Sequence, residues 1–354
     1  MKLLENVPLA PLTTFKVGGP ARYFIPAESE EDVQQAVAFV GERSLPMFVL
    51  GGGSNLLVAD AGFPGLVLRI MLKGITQQRQ HGRELFDVGA GEDWDPFVAY
   101  VVERDCGGIE CLSGIPGTVG GTPVQNVGAY GQEVAETITR IRVFDRRNNT
   151  FRDLSNRDAG FAYRSSVLNS SQQGRYIVLR VSYALTPGAP PRIEYADLKK
   201  LFGGGSKAPS LREARDAVRQ IRRGKGMLLE ENDPDCRSAG SFFKNPVVSQ
   251  EQLEELRKQP AARGGAPPSF PAASGQVKLA AAWLVERAGF ARGSQRGGVG
   301  ISSKHSLAIV NRGTATAADI IALKNEIQAR VLAEFGVALQ PEPVFVGFEL
   351  ESKS

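Results

Sequence analysis

The sequence is poor in the residues that build disulfide frameworks and metal sites. Its 354 residues include two histidines, His81 and His305, and three cysteines, Cys106, Cys111 and Cys236, none of them in a CxxC pair. This count predicts reduced thiols in place of a disulfide framework. It also excludes a histidine-rich metal site, and any Ser-His-Asp triad would have to use one of the two histidines.

Long apolar runs and a strong charge surplus are also absent. No 18-residue apolar stretch occurs, and the N-terminus, MKLLENVPLAPLTTF, lacks the hydrophobic region of a signal peptide. The net charge of +4 is too small to predict a nucleic-acid or membrane partner, although it is compatible with a small anionic substrate. We therefore expect a cytoplasmic protein with no nucleic-acid and no membrane partner.

The remaining composition is that of a globular chain with two or three domains, since hydrophobic residues make up 42% and charged residues 23%. Strand-like and helix-like segments alternate, which indicates an α+β or α/β fold with glycine-rich connections. The predicted helices are 29–44 (capped by Ser29), 93–106, 211–225, 278–289 and 315–336, and the predicted strands are 46–50, 65–70, 138–146 and 175–185, with one more near the C-terminus.

Two further segments have a distinctive composition. Residues 201–210 and 259–275 are rich in glycine, proline, serine and alanine, and we interpret both as loops. The helix 211–225 is basic and amphipathic. Its arginines and lysines favour a solvated face, with nucleic-acid binding as the less favoured alternative.

Two glycine-rich stretches stand out from the rest of the chain. They are VLGGGSNLLVAD at 49–60 and LSGIPGTVGGTPVQNVGAYGQE at 112–133. Glycine lets the backbone approach a ligand closely, and consecutive N–H groups can then cradle phosphate oxygens. Tight turns use the same residues, but two such stretches favour a diphosphate ligand.

Neither stretch fits a common nucleotide-binding motif. There is no G-x-G-x-x-G at a strand-to-helix junction and no G-x-x-x-x-G-K-[ST], which argues against a Rossmann nicotinamide site and against a P-loop. From the residues alone, the prediction is a diphosphate-bearing cofactor held by an unusual pair of loops.

The motifs and their order resemble the UDP-N-acetylenolpyruvoylglucosamine reductase family, flavoenzymes of peptidoglycan synthesis. The resemblance spans nearly the whole chain. It rests on TTFKVGGPA (13–21), the two glycine stretches, FAYRSSVL (161–168), SAGSFFKNP (238–246), VKLAAAWLVERAGF (277–290), SSKHSLAIVN (302–311) and PEPVFVG (341–347).

The resemblance implies a fold and its division. It implies an α+β protein with an FAD-binding module of the vanillyl-alcohol-oxidase (PCMH) type, made of two α+β subdomains, plus a C-terminal α+β substrate-binding domain. We expect FAD-binding subdomain 1 at 1–70, completed by about 320–354, subdomain 2 at 71–209 and the substrate-binding domain at 210–319.

The same resemblance implies FAD as cofactor and NADPH as co-substrate. Because neither histidine lies in a glycine stretch, we expect FAD to be bound without a covalent link. The flavin contacts that it implies are Gly51, Gly52, Gly53, Ser54, Asn55, Leu56, Ile115, Pro116, Gly117, Thr118, Gly120, Gly121, Asn126, Ala129, Tyr130 and Gly131.

The family reaction reduces the enolpyruvyl ether of UDP-N-acetylglucosamine enolpyruvate to the D-lactyl ether of UDP-N-acetylmuramate. It implies Ser241 as the proton donor, with Arg164 and Glu342 stabilising the enolate. From the residues alone, these three are more simply a turn serine, a surface arginine and a solvated turn glutamate. We expect Phe242 and Phe243 to help exclude water from Ser241.

Other residues are implied as substrate contacts. Tyr195, in RIEYADLKKL, resembles a mobile tyrosine that closes over the UDP-sugar in one subclass of the family, and the glycines 203–205 would supply its hinge. Lys225 is matched to a phosphate-binding lysine across the additional residues 226–237. Tyr163, Asn245 and His305 complete the set, with a phosphate role for Asn245 and His305.

Two alternatives stay open on the sequence. One is another FAD-dependent oxidase of the same fold, and the other is a non-catalytic nucleotide-sugar binder. For the reductase itself we expect a monomer.

Overall fold

The chain forms two compact units in a computed structural model that describes residues 1–203, 208–258, 265 and 267–348. Unit 1 comprises Met1–Val7, Ala21–Gly53 and Pro64–Gly224, and unit 2 comprises Pro8–Pro20, Ser54–Phe63 and Lys225–Ser354. The chain therefore passes from unit 1 into unit 2 directly after the three glycines 51–53. The three-part division of the sequence into subdomains and a substrate domain stays a prediction.

Twenty strands occur within the described residues. They are β1 (Leu4–Pro8), β2 (Pro20–Ala27), β3 (Met47–Leu50), β4 (Leu56–Val58), β5 (Phe63–Ile70), β6 (Ile75–Gln80), β7 (Arg83–Gly89), β8 (Cys106–Gly107), β9 (Gly128–Ala129), β10 (Gln132–Glu133), β11 (Ile138–Asp145), β12 (Thr150–Ser155), β13 (Tyr176–Pro187), β14 (Val247–Val248), β15 (Ser269–Pro271), β16 (Val277–Leu279), β17 (Gln295–Arg296), β18 (Val299–Ile301), β19 (Ile309–Asn311) and β20 (Val344–Val346).

Eight α-helices accompany the strands in the same described ranges. They are α1 (Glu30–Arg43), α2 (Trp94–Val102), α3 (Asn156–Ala159), α4 (Ala196–Phe202), α5 (Leu211–Gly224), α6 (Gln250–Lys258), α7 (Ala281–Arg287) and α8 (Ala317–Phe335). Where the structure is described, no helix is both long and apolar enough to cross a bilayer.

Unit 1 is built on two sheets that share one apolar core. The first has the strand order β1-β2-β5-β3, with β3 parallel to β5, and the second has the order β12-β11-β13-β7-β6, joined by β8 through β13. Helix α1 begins where Ser29 accepts a hydrogen bond from the Asp32 N–H in a capping box. Trp94 and Phe97 of α2 pack against Tyr183 of β13, at 5.8 and 5.3 Å between ring centroids.

Unit 2 has smaller sheets around a second core. Its three sheets have the orders β14-β16-β15, β17-β18-β19 and β20-β4, the last parallel with Val344 beside Leu56. Helix α8 contributes buried Ile320, Ile327 and Val331 to a core that also contains Phe242. Both phenylalanines after Ser241 are therefore core residues that anchor the Ser241 segment. Their role in excluding water from Ser241 stays a prediction.

Most predicted elements agree with the structure, and the differences have local causes. The helix expected over 93–106 ends at Val102 because Asp105 adopts a left-handed φ of 52° and Cys106–Gly107 pairs with Thr186–Pro187 as β8. The loop expected over 201–210 begins with the end of α4, and residues 204–207 lie outside the described part. The loop expected over 259–275 contains strand β15, and its residues 259–264 and 266 also lie outside that part.

Candidate active site

The first glycine stretch ends β3 in direct backbone contact with the second. A Cβ atom built on Gly52 would lie 2.5 Å from the Gly117 Cα, and one on Gly51 would lie 2.9 Å from the Thr118 Oγ1. Real Cβ atoms do not approach other atoms this closely. The two stretches can therefore meet only because these positions are glycine.

The second stretch is fixed by the turn between β7 and α2. The N–H groups of Val119 and Gly120 donate to the carbonyls of Glu92 and Ala90, at 2.8 and 2.9 Å. A Cβ on Gly120 would lie 2.6 Å from the Ala90 Cβ, whereas one on Gly121 would find no protein atom within 4 Å. Gly121 thus faces open space at the end of a backbone-lined turn. A cofactor diphosphate needs such a space, so these residues fit FAD.

The residues that follow form a strained hairpin. Tyr130 and Gly131 connect β9 to β10 with φ values of 50° and 88°, the positive φ at both positions of a type I′ turn. Asn126 also has a positive φ, of 46°, and its buried side chain donates to Glu133 and to the Ala162 carbonyl, at 2.8 and 3.1 Å. The Asn126 amide is thus occupied by protein groups, and a flavin contact of Asn126 stays a prediction about its backbone.

Tyr163 and Arg164 lie at the tip of a tight turn. Ala162 and Ser165 exchange both backbone hydrogen bonds, at 2.9 and 3.1 Å, and Arg164 has a left-handed φ of 53°. The Arg164 guanidinium lies 5.5 Å from the Tyr163 ring centroid. Asn126, through its bond to Ala162, ties this turn to the second glycine stretch. Unit 1 therefore brings the glycine stretches and Arg164 into one connected region.

Tyr195 lies beside the hairpin turn in unit 1. It immediately precedes α4, its ring is 5.2 Å from the Tyr130 ring, and 42% of it is exposed. Residues 204 and 205 of the proposed hinge lie outside the described residues. The predicted closing motion stays a prediction.

The basic helix α5 is only partly the solvated face that the sequence predicts: Arg212 and Arg223 are exposed, but three other arginines bind groups of unit 1. Asp95 in α2 accepts hydrogen bonds from Arg215 at 2.6 and 3.0 Å, from Arg219, and from the Gly114 N–H at 2.6 Å. Burial alone would raise the pKa of Asp95, but the bonds from Arg215 and Gly114 lower it below its ordinary value. Asp95 is therefore a carboxylate that holds the start of the second glycine stretch.

The third arginine of that face, Arg222, is buried and donates to the Gly114 carbonyl at 3.0 Å. Burial lowers its pKa, which the Tyr130 phenol and the Asp95 carboxylate oppose. Sequence reasoning missed this group of Asp95, Arg215, Arg219 and Arg222. The available signal was the spacing of the arginines at i, i+4 and i+7, which places them on one side of a helix.

Unit 2 places Ser241 against a histidine. The Ser241 Oγ lies 3.0 Å from the His305 Nε2, and the neighbouring Phe242 donates its N–H to the Leu307 carbonyl at 2.7 Å. Burial, with the positive charges of Lys225 and Arg292, lowers the pKa of His305 to about 4. His305 is therefore neutral near pH 7. The substrate contacts predicted for Lys225 and His305 stay predictions.

Glu342 lies on a segment that pairs with the Ser241 segment. Phe243 and Pro341 form an antiparallel bridge, and Glu342 donates its N–H to the Phe242 carbonyl at 2.9 Å. The Glu342 carbonyl accepts from the Asn55 side chain at 3.2 Å. Thus Asn55, which the sequence assigned to the flavin, binds the backbone of the predicted catalytic glutamate.

The other predicted residues of unit 2 have structural contacts. The Asn245 Oδ1 accepts the Ala281 N–H at 3.0 Å and so holds the start of α7. The Ser54 carbonyl accepts from Thr14 at 3.3 Å, and Leu56 is the first residue of β4. These residues are fixed by the fold, and their ligand contacts stay predictions.

No described group of three or more His, Cys, Asp or Glu side chains is arranged to hold a metal ion. Cys106, Cys111 and Cys236 carry free thiols, and burial, with the nearby Glu110, raises the pKa of Cys111 to about 12. This thiol is not activated as a nucleophile.

Known proteins share both parts of the chain. A family model described as an FAD binding domain matches residues 20–155, and one described as the C-terminal domain of UDP-N-acetylenolpyruvoylglucosamine reductase matches residues 232–346. The chain is 45% identical to the UDP-N-acetylenolpyruvoylglucosamine reductase of Streptomyces coelicolor, over 98% of this chain and 91% of that one. It is also 45% identical to that of Thermobifida fusca, over 98% of each.

A solved structure resembles this chain over nearly its whole length. The UDP-N-acetylenolpyruvylglucosamine reductase of Thermus caldophilus superposes with a TM-score of 0.66 and is 27% identical, over 98% of this chain and 99% of that one. The fold and the glycine-lined site thus define an FAD-binding oxidoreductase. The chain belongs to the UDP-N-acetylenolpyruvoylglucosamine reductase family.

This assignment confirms the predicted family, the α+β fold class, the FAD cofactor with NADPH as reductant and the oxidoreductase activity. It also favours the reductase over the two alternatives that the sequence left open. The roles of individual residues are not decided by it.

Substituting Gly121 tests whether the cofactor occupies the space that this residue faces. We expect Gly121→Ala to leave the melting temperature of the FAD-free protein unchanged, because its Cβ meets no protein atom within 4 Å. FAD affinity should fall by about tenfold or more, since overpacking costs about 1–3 kcal/mol. Equilibrium titration with FAD measures the change. Gly41→Ala in α1, also without a neighbour within 4 Å, is the matched control, and native FAD affinity in Gly121→Ala would contradict the assignment.

Proposed function

We propose that this chain carries out its family's reaction, the NADPH-dependent reduction of UDP-N-acetylglucosamine enolpyruvate to UDP-N-acetylmuramate, with Ser241 as the proton donor. The observation that carries the proposal is the 3.0 Å hydrogen bond between the Ser241 Oγ and the His305 Nε2. A histidine 64 residues away orients this hydroxyl, and proton transfer requires such orientation.

The chemistry makes two demands on the protein. Bound FAD, reduced by NADPH, would supply the hydride for the terminal vinyl carbon of the substrate. The carbon that bears the ether oxygen then carries negative charge, which spreads into the adjacent carboxylate. Protein groups must stabilise this charge and must deliver a proton to that carbon.

Ser241 meets the second demand. A serine hydroxyl is a weak acid, but a carbanion beside a carboxylate is a stronger base than the serine alkoxide. The proton can therefore move from the hydroxyl to the carbon. The Ser241 backbone is fixed because Phe242 and Phe243 are buried in the core at 0% and 2% exposure. The hydroxyl therefore acts from a rigid segment, which reduces the reorganisation needed for transfer.

Arg164 and Glu342 meet the first demand. A guanidinium holds its charge at all working pH values and can donate two parallel hydrogen bonds to a carboxylate. The tight turn around Arg164 and its left-handed φ fix the point from which the side chain extends. Glu342, in its protonated form, donates to the enolate oxygen, and its backbone bond to Phe242 supports this placement.

The remaining polar residues serve the substrate. Lys225 and Asn245 bind phosphate oxygens, and Tyr163 and Tyr195 contact the nucleotide sugar. His305 also hydrogen-bonds Ser241, and as a neutral imidazole it keeps one N–H donor for a phosphate oxygen. The chain acts as a monomer in the cytoplasm. Size-exclusion chromatography at working concentration should show the mass of a monomer.

FAD is held without a covalent link. His81 is exposed in the turn between β6 and β7, and His305 bonds to Ser241, so neither lies in the glycine stretches. Acid precipitation of the purified holoprotein should release all of the yellow colour into the supernatant. Flavin that stays with the denatured pellet would show a covalent bond.

Ser241→Ala should separate the two half-reactions. We expect normal FAD binding and a native rate of flavin reduction by NADPH, because Ser241 takes no part in that step. Reoxidation by the enolpyruvyl substrate should fall by about 10²–10⁴-fold, the usual contribution of a positioned proton donor. Stopped-flow absorbance measures both steps.

Two further variants complete this test. Ser241→Cys should keep part of the activity, since a thiol also donates a proton. Ser249→Ala, which alters only the serine that caps α6, should be native in both steps. Native reoxidation of the Ser241→Ala enzyme would leave Ser241 as a turn residue.

Tyr195→Phe tests substrate contact by the exposed tyrosine. Phenylalanine keeps the ring packing against Tyr130 and removes only the hydroxyl. We expect KM for the UDP-substrate to rise about fivefold to tenfold, the effect of one lost hydrogen bond. Flavin reduction by NADPH should be unchanged. An equal loss in both half-reactions would indicate a structural role.

A further inference from the structure

The segment that precedes Ser241 contains a buried carboxylate for which the reaction itself has no use. Asp235 is 0% exposed, and it lies in the additional residues 226–237. Its Oδ2 accepts the Ser303 N–H at 3.1 Å and the Ser303 hydroxyl at 2.6 Å, and its Oδ1 accepts from Arg312 at 2.6 Å. Burial alone would raise the pKa of Asp235, but the bonds from Ser303 and Arg312 lower it. Asp235 is therefore ionised and fully bonded.

These bonds hold the loop that carries His305. Ser303 lies two residues before His305, and Lys304 donates to Asp233 at 2.7 Å. The Ser302 hydroxyl accepts the N–H groups of Lys304 and His305, at 3.0 and 3.2 Å. The loop is thus fixed from the Asp233–Asp235 side by two carboxylates.

The other side of the loop is joined to the Ser241 segment. Phe242 donates its N–H to the Leu307 carbonyl at 2.7 Å, and Asn311 donates its N–H to the Arg237 carbonyl at 2.9 Å. Residues 235–242 therefore wrap the His305 loop from both ends. A shift of the loop away from Asp235 would lengthen the hydrogen bond between His305 and Ser241.

We propose that Asp235 is a positioning residue that holds His305 as a hydrogen-bond donor to Ser241. The inference rests on the proposed role of Ser241. If the Nε2 of His305 carries the proton, the imidazole donates to the Ser241 Oγ, and the hydroxyl hydrogen is directed at the substrate. If the Nδ1 carries it, the hydroxyl must donate to Nε2, and its proton is not available.

In this arrangement Ser241 supplies the proton and water replaces it. The Ser241 Oγ–H bond breaks, the proton bonds to the substrate carbon through its electron pair, and an alkoxide remains on Ser241. The Nε2–H of His305 stabilises that alkoxide until water returns the proton. Burial, Lys225 and Arg292 oppose protonation of His305, and Glu286 favours it. In the neutral imidazole the tautomer decides which nitrogen donates.

Nitrogen NMR of the ¹⁵N-histidine-labelled holoprotein tests the proposal. The chain has only two histidines, so two imidazole spin systems appear, and the exposed His81 is an internal reference. We expect the His305 Nε2 to resonate as a protonated nitrogen at pH 7. In Asp235→Asn the His305 signals should move toward a mixture of tautomers while those of His81 stay. A native His305 that is protonated at Nδ1 would overturn the proposal.

Kinetics of the same variants supply the second measurement. Reoxidation of Asp235→Asn by the enolpyruvyl substrate should slow by about tenfold or more, since misplacement of a reacting group is costly, while flavin reduction by NADPH stays native. Ser303→Ala, which removes one bond to Asp235 at an exposed position, should give a smaller effect in the same direction.

Control variants distinguish a folding defect from loss of the positioning role, and the role of Asp235 from the role of Ser241. Asp216→Asn on the exposed side of α5 is the matched control and should be native in both measurements. If Asp235→Asn does not fold, Ser303→Ala alone decides, and native signals with a native rate in that variant refute the positioning role. A defect of Ser241→Ala together with unaffected Asp235→Asn and Ser303→Ala would reject this inference and keep the proposed function.

Discussion

The contact between the two glycine stretches is the constraint on which unit 1 depends. Gly52 and Gly117 touch through their backbones at a distance that excludes any side chain. Backbone contact of this kind has no side-chain packing to stabilise it, so neighbouring groups must hold it. Asp95 does so by binding the Gly114 N–H while its charge is compensated by Arg215 and Arg219 on α5. A partly buried ion pair adds little net stability but fixes geometry, and geometry is what a cofactor loop requires.

Unit 2 uses a different device for the same purpose. Phe242, the residue next to the predicted proton donor Ser241, donates its N–H to Leu307 and accepts the N–H of Glu342. The main chain therefore aligns the Ser241 segment with the Leu307 and Glu342 segments. Buried phenylalanines anchor the central segment. The His305 loop and the orientation of the imidazole and the hydroxyl depend on side-chain hydrogen bonds, and such bonds are sensitive to small shifts.

Sequence reasoning predicted what local patterns encode. The capping box at Ser29 and the apolar periodicity of 315–336 predicted helices that the structure contains, and the glycine stretches predicted a backbone-lined site. The pairings of Asp95 with Arg215 and of Ser241 with His305 join residues 120 and 64 positions apart, and neither partner has a local pattern that names the other. For this reason Arg215, Arg219 and Arg222 of helix α5 were wrongly interpreted as part of its solvated face. A basic stripe looks the same in sequence whether it faces water or a carboxylate.

Unit 1 contains strained backbone around its candidate site, and this strain lowers its stability. Asn126, Tyr130 and Arg164 all have φ near +50°, and each costs about 1 kcal/mol unless its side chain is tolerant, as for asparagine. Such conformations persist only where the surroundings enforce them, and they concentrate at sites that bind ligands. Here the Asn126 amide enforces them through bonds to Glu133 and Ala162, which tie the hairpin to the Arg164 turn. The side chain that the sequence assigned to the flavin thus contributes by holding the strained backbone in place.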